Sequence, residues 1–275
     1  MDKQFWLDIR ENQYAVPEGH SIEDLLDELL SFLGSTDPEL RDVIGYETYA
    51  NWLKLETIPL VLIRSCISRL TGNLEEGIGE RDTDTVFLRS FSALLLAETV
   101  HHDNKVPALE KDDALDILEK ALTYLKNERD PRGYVSGKGW AHAIAHTADL
   151  LYTLASHRDT GQAELERILY AVTTKLEKPT EWIYCHGEDD RLMQAAAGVV
   201  QRNLLDENTY SQWLASCLEP SWKGSYEDPA QNNAFFNTRN FLRGFYLYLQ
   251  EAKDLPIRDF LFKETGNTLR KFRQF

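Results

Sequence analysis

Cysteine is scarce in this chain, with three in 275 residues, at positions 66, 185 and 217. They are far apart, odd in number and never in C-x-x-C spacing. That excludes a disulfide framework and a thiolate zinc site and leaves three small, buried or half-buried apolar residues. Basic residues are also short: 30 Lys and Arg against 45 Asp and Glu leave a net charge of −15. A nucleic-acid binder needs a basic stripe to neutralise phosphates, so no nucleic acid is expected as partner. An acidic surface likewise repels anionic lipid headgroups. Long apolar runs are missing. Uncharged stretches such as 139–148 and 192–201 reach about ten residues, half of what a membrane span needs, so no membrane span is expected. The start, Met1-Asp2-Lys3-Gln4-Phe5-Trp6, has no basic segment followed by an apolar one. No secretory signal is visible, and a cytoplasmic protein is expected.

What is present describes a globular chain. Apolar types make up 43% and charged types 27%, enough of the first to build a core and of the second to keep it in water. The charge is uneven. Residues 1–60 hold thirteen Asp or Glu against four Lys or Arg, whereas residues 256–275 hold five basic residues against two acidic. An acidic N-terminal region of this kind could dock a basic partner, in which case salt would weaken the association.

Helical periodicity dominates. Ile22, Leu25, Leu26, Leu29, Leu30 and Leu33 repeat at three and four, as do Leu115, Leu118, Leu122 and Leu125, and Leu165, Ile168, Leu169, Val172 and Leu176. Each set draws one apolar stripe on a helix. Ser21 with Asp24 has capping-box spacing, and Asp37-Pro38 reads as a helix start. Between breakers the pattern predicts helices over 21–33, 37–55, 57–71, 83–102, 110–128, 139–157, 161–177, 188–204, 206–218, 230–252 and 264–273. The segments beginning at Phe87, Trp140, Arg191 and Arg239 start about 48–53 residues apart, each polar or aromatic first and apolar later. No run alternates with period two, so strands should be few or absent. The expected fold is all-α: a right-handed α-α superhelix of antiparallel helix pairs, HEAT-like, as one domain over 1–275.

One stretch has unusual content, residues 133–149, GYVSGKGWAHAIAHTAD. On a helix begun at Gly139, His142, His146 and Asp149 fall within about 100° of arc, with Ile144, Ala148 and Leu151 opposite. Small residues flank the histidines, so a ligand or another helix can approach. Three readings compete, in descending order: hydrogen-bonded structure, contact with a small molecule or peptide, and a divalent metal on His142, His146 and Asp149. The motif is not H-E-x-x-H, because Ala143 stands where the catalytic Glu would be. The preceding loop offers Lys138 and Gly139 beside a helix start as a weak anion site, but lacks the spacing of a phosphate-binding P-loop. A second polar face is predicted on 231–250, where Asn233, Asn237 and Asn240 adjoin a row of Phe236, Arg239, Arg243 and Tyr246. Two readings compete, in descending order: hydrogen bonding between helices of neighbouring repeats, and recognition, since arginine and tyrosine on a rigid helix suit carboxylates and apolar side chains. Glu188, Asp189 and Asp190 open another helix, where they complement its dipole. Cys185-His186 is a neighbouring pair with no specific nucleophile signature.

The runs Arg132-Gly133-Tyr134-Val135, Gly137-Lys138-Gly139-Trp140-Ala141-His142-Ala143 with His146 and Ala148-Asp149, Gly187-Glu188-Asp189-Asp190-Arg191-Leu192, and Asn237-Thr238-Arg239-Asn240 together resemble domain-of-unknown-function family 2785. The resemblance covers nearly the whole chain, and Gly-Lys-Gly-Trp-Ala-His is its most specific part. It implies a bacterial, Gram-positive origin, an all-helical fold and no assigned activity. The residues themselves lead to a helical-repeat binding protein. It would hold a peptide, a protein segment or a small polar ligand on a concave face built from Trp140, His142, His146, Asp149, Glu188, Asp189, Asn237, Arg239 and Arg243. The alternative is a metal-dependent hydrolase with ligands on the 139–157 helix and at the start of the 188–204 helix.

Overall fold

A computed structural model describes residues 1–218 and 228–272. The expected break at 220–229 and the end of the expected 264–273 helix lie partly outside these residues. The fold is all-α. Among the described residues there are twelve α-helices and one pair of two-residue strands. No helix among them is long and apolar enough to cross a membrane. The chain forms two compact units, Met1–Leu150 and Leu151–Phe275.

The first unit begins with a helix absent from the periodicity reading, α1 (Lys3–Glu11). Asp2 caps it through the amide of Phe5, and Trp6 and Ile9 are buried. Only nine residues long, it shows too few apolar repeats to stand out. Next come α2 (Ile22–Ser31), capped by Ser21, a π-helical run over Glu39–Tyr46 and its continuation α3 (Glu47–Lys54). Asp37 accepts from the amide of Glu39, as its capping role requires. Then follow α4 (Leu60–Asn73), α5 (Thr85–Lys105) and α6 (Lys111–Asn127). α5 packs against α3, α4 and α6 and is buried on all sides, from Val86 to Val100. Such a helix has no polar stripe to present.

The expected 139–157 helix is shorter and starts later. Tyr134–Val135 (β1) pairs antiparallel with Gly139–Trp140 (β2), and α7 covers Ala143–Ala155. Gly137 and Gly139 both have positive φ, +76° and +81°, which bends the chain into a hairpin where a helix was expected. At Gly139 a Cβ would lie 2.9 Å from Arg41 Nη2 and 3.1 Å from Pro38 Cβ. Only glycine fits there.

The second unit holds α8 (Gln162–Glu177), α9 (Glu188–Gln201), α10 (Glu207–Ser216), α11 (Pro229–Glu251) and α12 (Arg258–Lys271). α12 starts six residues earlier than the expected 264, directly after the 254–256 break. α11 packs against α8, α9 and α12. Asp228 caps it and Pro229 occupies its first turn. Its inner stripe is Ala234, Phe235, Thr238, Phe241, Leu242 and Phe245. Trp213 is fully buried edge-on against Phe241 and Phe245, and its Nε1 donates to Thr173 Oγ1 at 2.7 Å. Cys217 lies beside Thr173, where burial pushes its thiol up to about 12. Cys66 is buried too, and Cys185 is exposed.

Candidate functional site

The candidate residues divide between the units. Trp140, His142, His146 and Asp149 belong to the first; Glu188, Asp189, Asn237, Arg239 and Arg243 belong to the second.

In the first unit, His142 is not on the helix. It is the residue before it, at φ +49°, and its carbonyl accepts from the amide of His146. The i, i+4 convergence expected of two helical histidines therefore does not arise. The rings meet edge-on, 5.7 Å apart at 81°. His142 instead stacks on Trp140 at 4.3 Å, and Trp140 meets Tyr134 across the hairpin. His146 is buried edge-on against Phe91. Its Nδ1 lies 2.8 Å from Ser90 Oγ, and Ser90 donates to the carbonyl of Ala141. That nitrogen is taken by structure. Asp149 is half-buried further along α7.

The loop around them is held by paired charges. Arg41 is fully buried over the rings of Phe87 and Phe91; it donates to the carbonyls of Ser35 and Lys138 and meets Asp42 at 2.9 Å. Burial pulls its pKa down, partly offset by Asp42. Lys138 is held by both oxygens of Asp84, at 2.6 and 2.7 Å. The helix amides begin at Ala143 rather than beside Gly139, so the Lys138–Gly139 anion site loses the helix start on which it depended. Arg132 clasps Asp130, and Arg89 donates to buried Glu128 at 2.7 Å and to the carbonyls of Glu76 and Gly77. Among the described residues no group of three or more His, Cys, Asp or Glu side chains is placed to hold a metal ion.

In the second unit, Asn237 is a clamp. It is 1% exposed; its Oδ1 accepts from the amide of Tyr184 and its Nδ2 donates to the carbonyl of Trp182. Asn233 does the same for the carbonyl of Thr180. Both fasten the 180–184 loop to α11. Glu188 is buried and accepts from the amide of His186. Burial, then the adjacent Asp190, raise the Asp189 carboxyl. Cys185 Sγ and Glu188 Oε1 lie 3.7 and 3.9 Å from the same nitrogen of His186, Nδ1. A catalytic triad needs its two partners on opposite ring nitrogens.

Arg239 and Arg243 differ from all of these. They line a cleft of about 730 Å³ between α11 and α12, with Tyr246, Leu247, Gly266, Leu269, Arg270 and Phe272. The Arg239 guanidinium lies over the rings of Phe236 and Phe235, at 4.8 and 5.4 Å. Its Nε is buried without a hydrogen-bond partner. Burial and then the charge of Arg243 push its pKa down, and among the described residues no carboxylate offsets them. The volume is that of a small-molecule site. Arg270 and the apolar wall on α12 escaped the sequence reading. Their one advance signal was the excess of basic residues in 256–275.

A family model described as Protein of unknown function (DUF2785) matches residues 74–247, more than half of the chain. The chain belongs to the DUF2785 family. The match takes in α5 to α10 and most of α11, including the hairpin, Arg239, Arg243 and Tyr246; α12 with Arg270 lies beyond it. No curated protein and no solved structure matches the chain.

Proposed function

We propose that this DUF2785 protein is a binding protein that holds an anionic, partly apolar ligand in the cleft between α11 and α12. One observation carries the reading: Arg239, Arg243 and Arg270 border a cleft in which, among the described residues, no carboxylate is paired with them. Among the described residues the buried cations Arg41 and Arg89 have acidic partners, Asp42 and Glu128. A buried guanidinium nitrogen without an acceptor is costly, and a ligand oxygen would remove that cost. Tyr246, Leu247, Leu269 and Phe272 supply the apolar wall that a ligand body would cover. The reading treats the helices as pairs of a right-handed, HEAT-like superhelix acting as one cytoplasmic domain in a bacterium. A peptide or protein segment with a carboxylate and a small polar ligand are both within its scope.

The experiment is thermal unfolding against a panel of small carboxylates, phosphates and sulfates. A ligand that binds only the native state at a hundredfold excess over Kd stabilises by about 2.7 kcal/mol. The gain should be lost in Arg239→Ala and Arg243→Ala. A gain that survives both substitutions would locate binding elsewhere and sink the proposal.

A further inference from the structure

We infer that the ligand of the α11–α12 cleft carries a doubly charged phosphate monoester on an aromatic or aliphatic body. The inference rests on the binding reading above and narrows it to one chemistry. Three guanidiniums line the cleft from two helices: Arg239 and Arg243, one turn apart on α11, and exposed Arg270 on α12, which also donates to Asn267 Oδ1 through one nitrogen and keeps its other N–H groups for a ligand. A single carboxylate matches one arginine fork and leaves two cations facing each other. A phosphate monoester brings about −1.5 to −2 charges and three acceptor oxygens, one for each guanidinium. Arg239 has its flat face covered by Phe235 and Phe236, so its N–H edge is what remains to meet an oxygen. The buried, unpartnered Nε lies on that edge.

The remaining walls argue for an organic body rather than free phosphate. Tyr246 is stacked on Phe262 at 4.3 Å, which fixes its ring beside the cleft. Gly266 stands opposite in the middle of α12, where glycine lowers helix stability by about 1 kcal/mol relative to alanine. A Cβ there would come within 3.3 Å of the Tyr246 ring. The missing side chain keeps the two helices close and the cleft floor open. The chain's net charge of −15 does not prevent binding. At physiological salt, charges beyond about 8 Å are screened, so the local arginines decide.

The test is calorimetric titration of the full chain with phenyl phosphate, phenyl sulfate, benzoate and inorganic phosphate. Phenyl sulfate has the same shape and one charge. Phenyl phosphate should bind at least tenfold more tightly than each of the other three. Exposed Arg243→Gln should weaken it tenfold or more without changing the melting temperature of the unliganded protein. Arg239→Lys, which keeps the charge but loses the fork, should weaken it too. A phosphotyrosine peptide identifies the source: tighter binding than phenyl phosphate indicates a phosphorylated protein, and equal or weaker binding a small phosphate ester. If phenyl sulfate or benzoate binds as tightly and Arg243→Gln still weakens it, the anion cleft survives and the phosphate assignment falls. If no probe binds, or the arginine variants bind normally, both fall.

Discussion

The hairpin before α7 and the cleft between α11 and α12 are both rich in arginine and aromatic rings, yet they treat charge in opposite ways. Around the hairpin each cation has an anion or carbonyl: Arg41 with Asp42 and Lys138, Arg89 with Glu128, Arg132 with Asp130, Lys138 with Asp84. In the cleft, Arg239, Arg243 and Arg270 share space with Leu247, Leu269 and Phe272. Paired charges of the first kind hold a loop to its scaffold. Of the second kind, only Arg239 keeps a buried nitrogen without an acceptor; Arg243 and Arg270 are exposed, and among the described residues none of the three meets a carboxylate. The more distinctive sequence motif is thus held by its own scaffold, and the plainer one borders the cleft proposed to bind a ligand.

Arg89→Ala offers the largest test of that contrast. It strands buried Glu128 and should lower stability by about 3–5 kcal/mol, read by denaturant unfolding. Arg243→Ala, on the cleft, should change stability by no more than about 0.5 kcal/mol. Equal losses would erase the distinction. Gly139→Ala should destabilise by about 2 kcal/mol or more, because a left-handed backbone and the Arg41 contact both oppose a side chain. A neutral outcome would mean that Arg41 does not anchor the hairpin. His146→Ala removes the partner of Ser90 and should destabilise by about 1–3 kcal/mol while leaving anion binding in the cleft unchanged. A selective loss of anion binding would instead move the functional site to the histidines.

The smallest effect concerns pH. The Asp189 carboxyl is raised by burial and by Asp190. A carboxyl whose folded pKa lies above its unfolded value stabilises fully below the unfolded value, and that stability is lost as pH rises through the folded one. Asp189→Asn should therefore raise the melting temperature slightly at neutral pH, and the gain should vanish in acid. A constant gain across the pH range would assign it to something other than charge.

The amphipathic stripes, the caps at Ser21 and Asp37, the all-α class and the family were legible in the sequence, because each is written in local spacing or local identity. The Arg239–Arg243–Tyr246 row was legible too, since a helix converts intervals of three and four into one face. The placement of His142 on a helix begun at Gly139 misled for a specific reason. A helix wheel assumes that the helix has begun, and whether it begins at Gly139 or Ala143 depends on Arg41 and Pro38, about a hundred residues earlier, filling the space beside Gly139. The fate of each charge was equally invisible. Arg89 and Arg243 are the same residue type on the same kind of element. Which finds a carboxylate depends on where Glu128 is carried by α6, and which faces other cations depends on where α12 turns back. Local sequence determined the elements and their faces. Only tertiary structure decided which faces are satisfied, because electrostatic pairing acts through space over a few ångströms and is indifferent to separation along the chain.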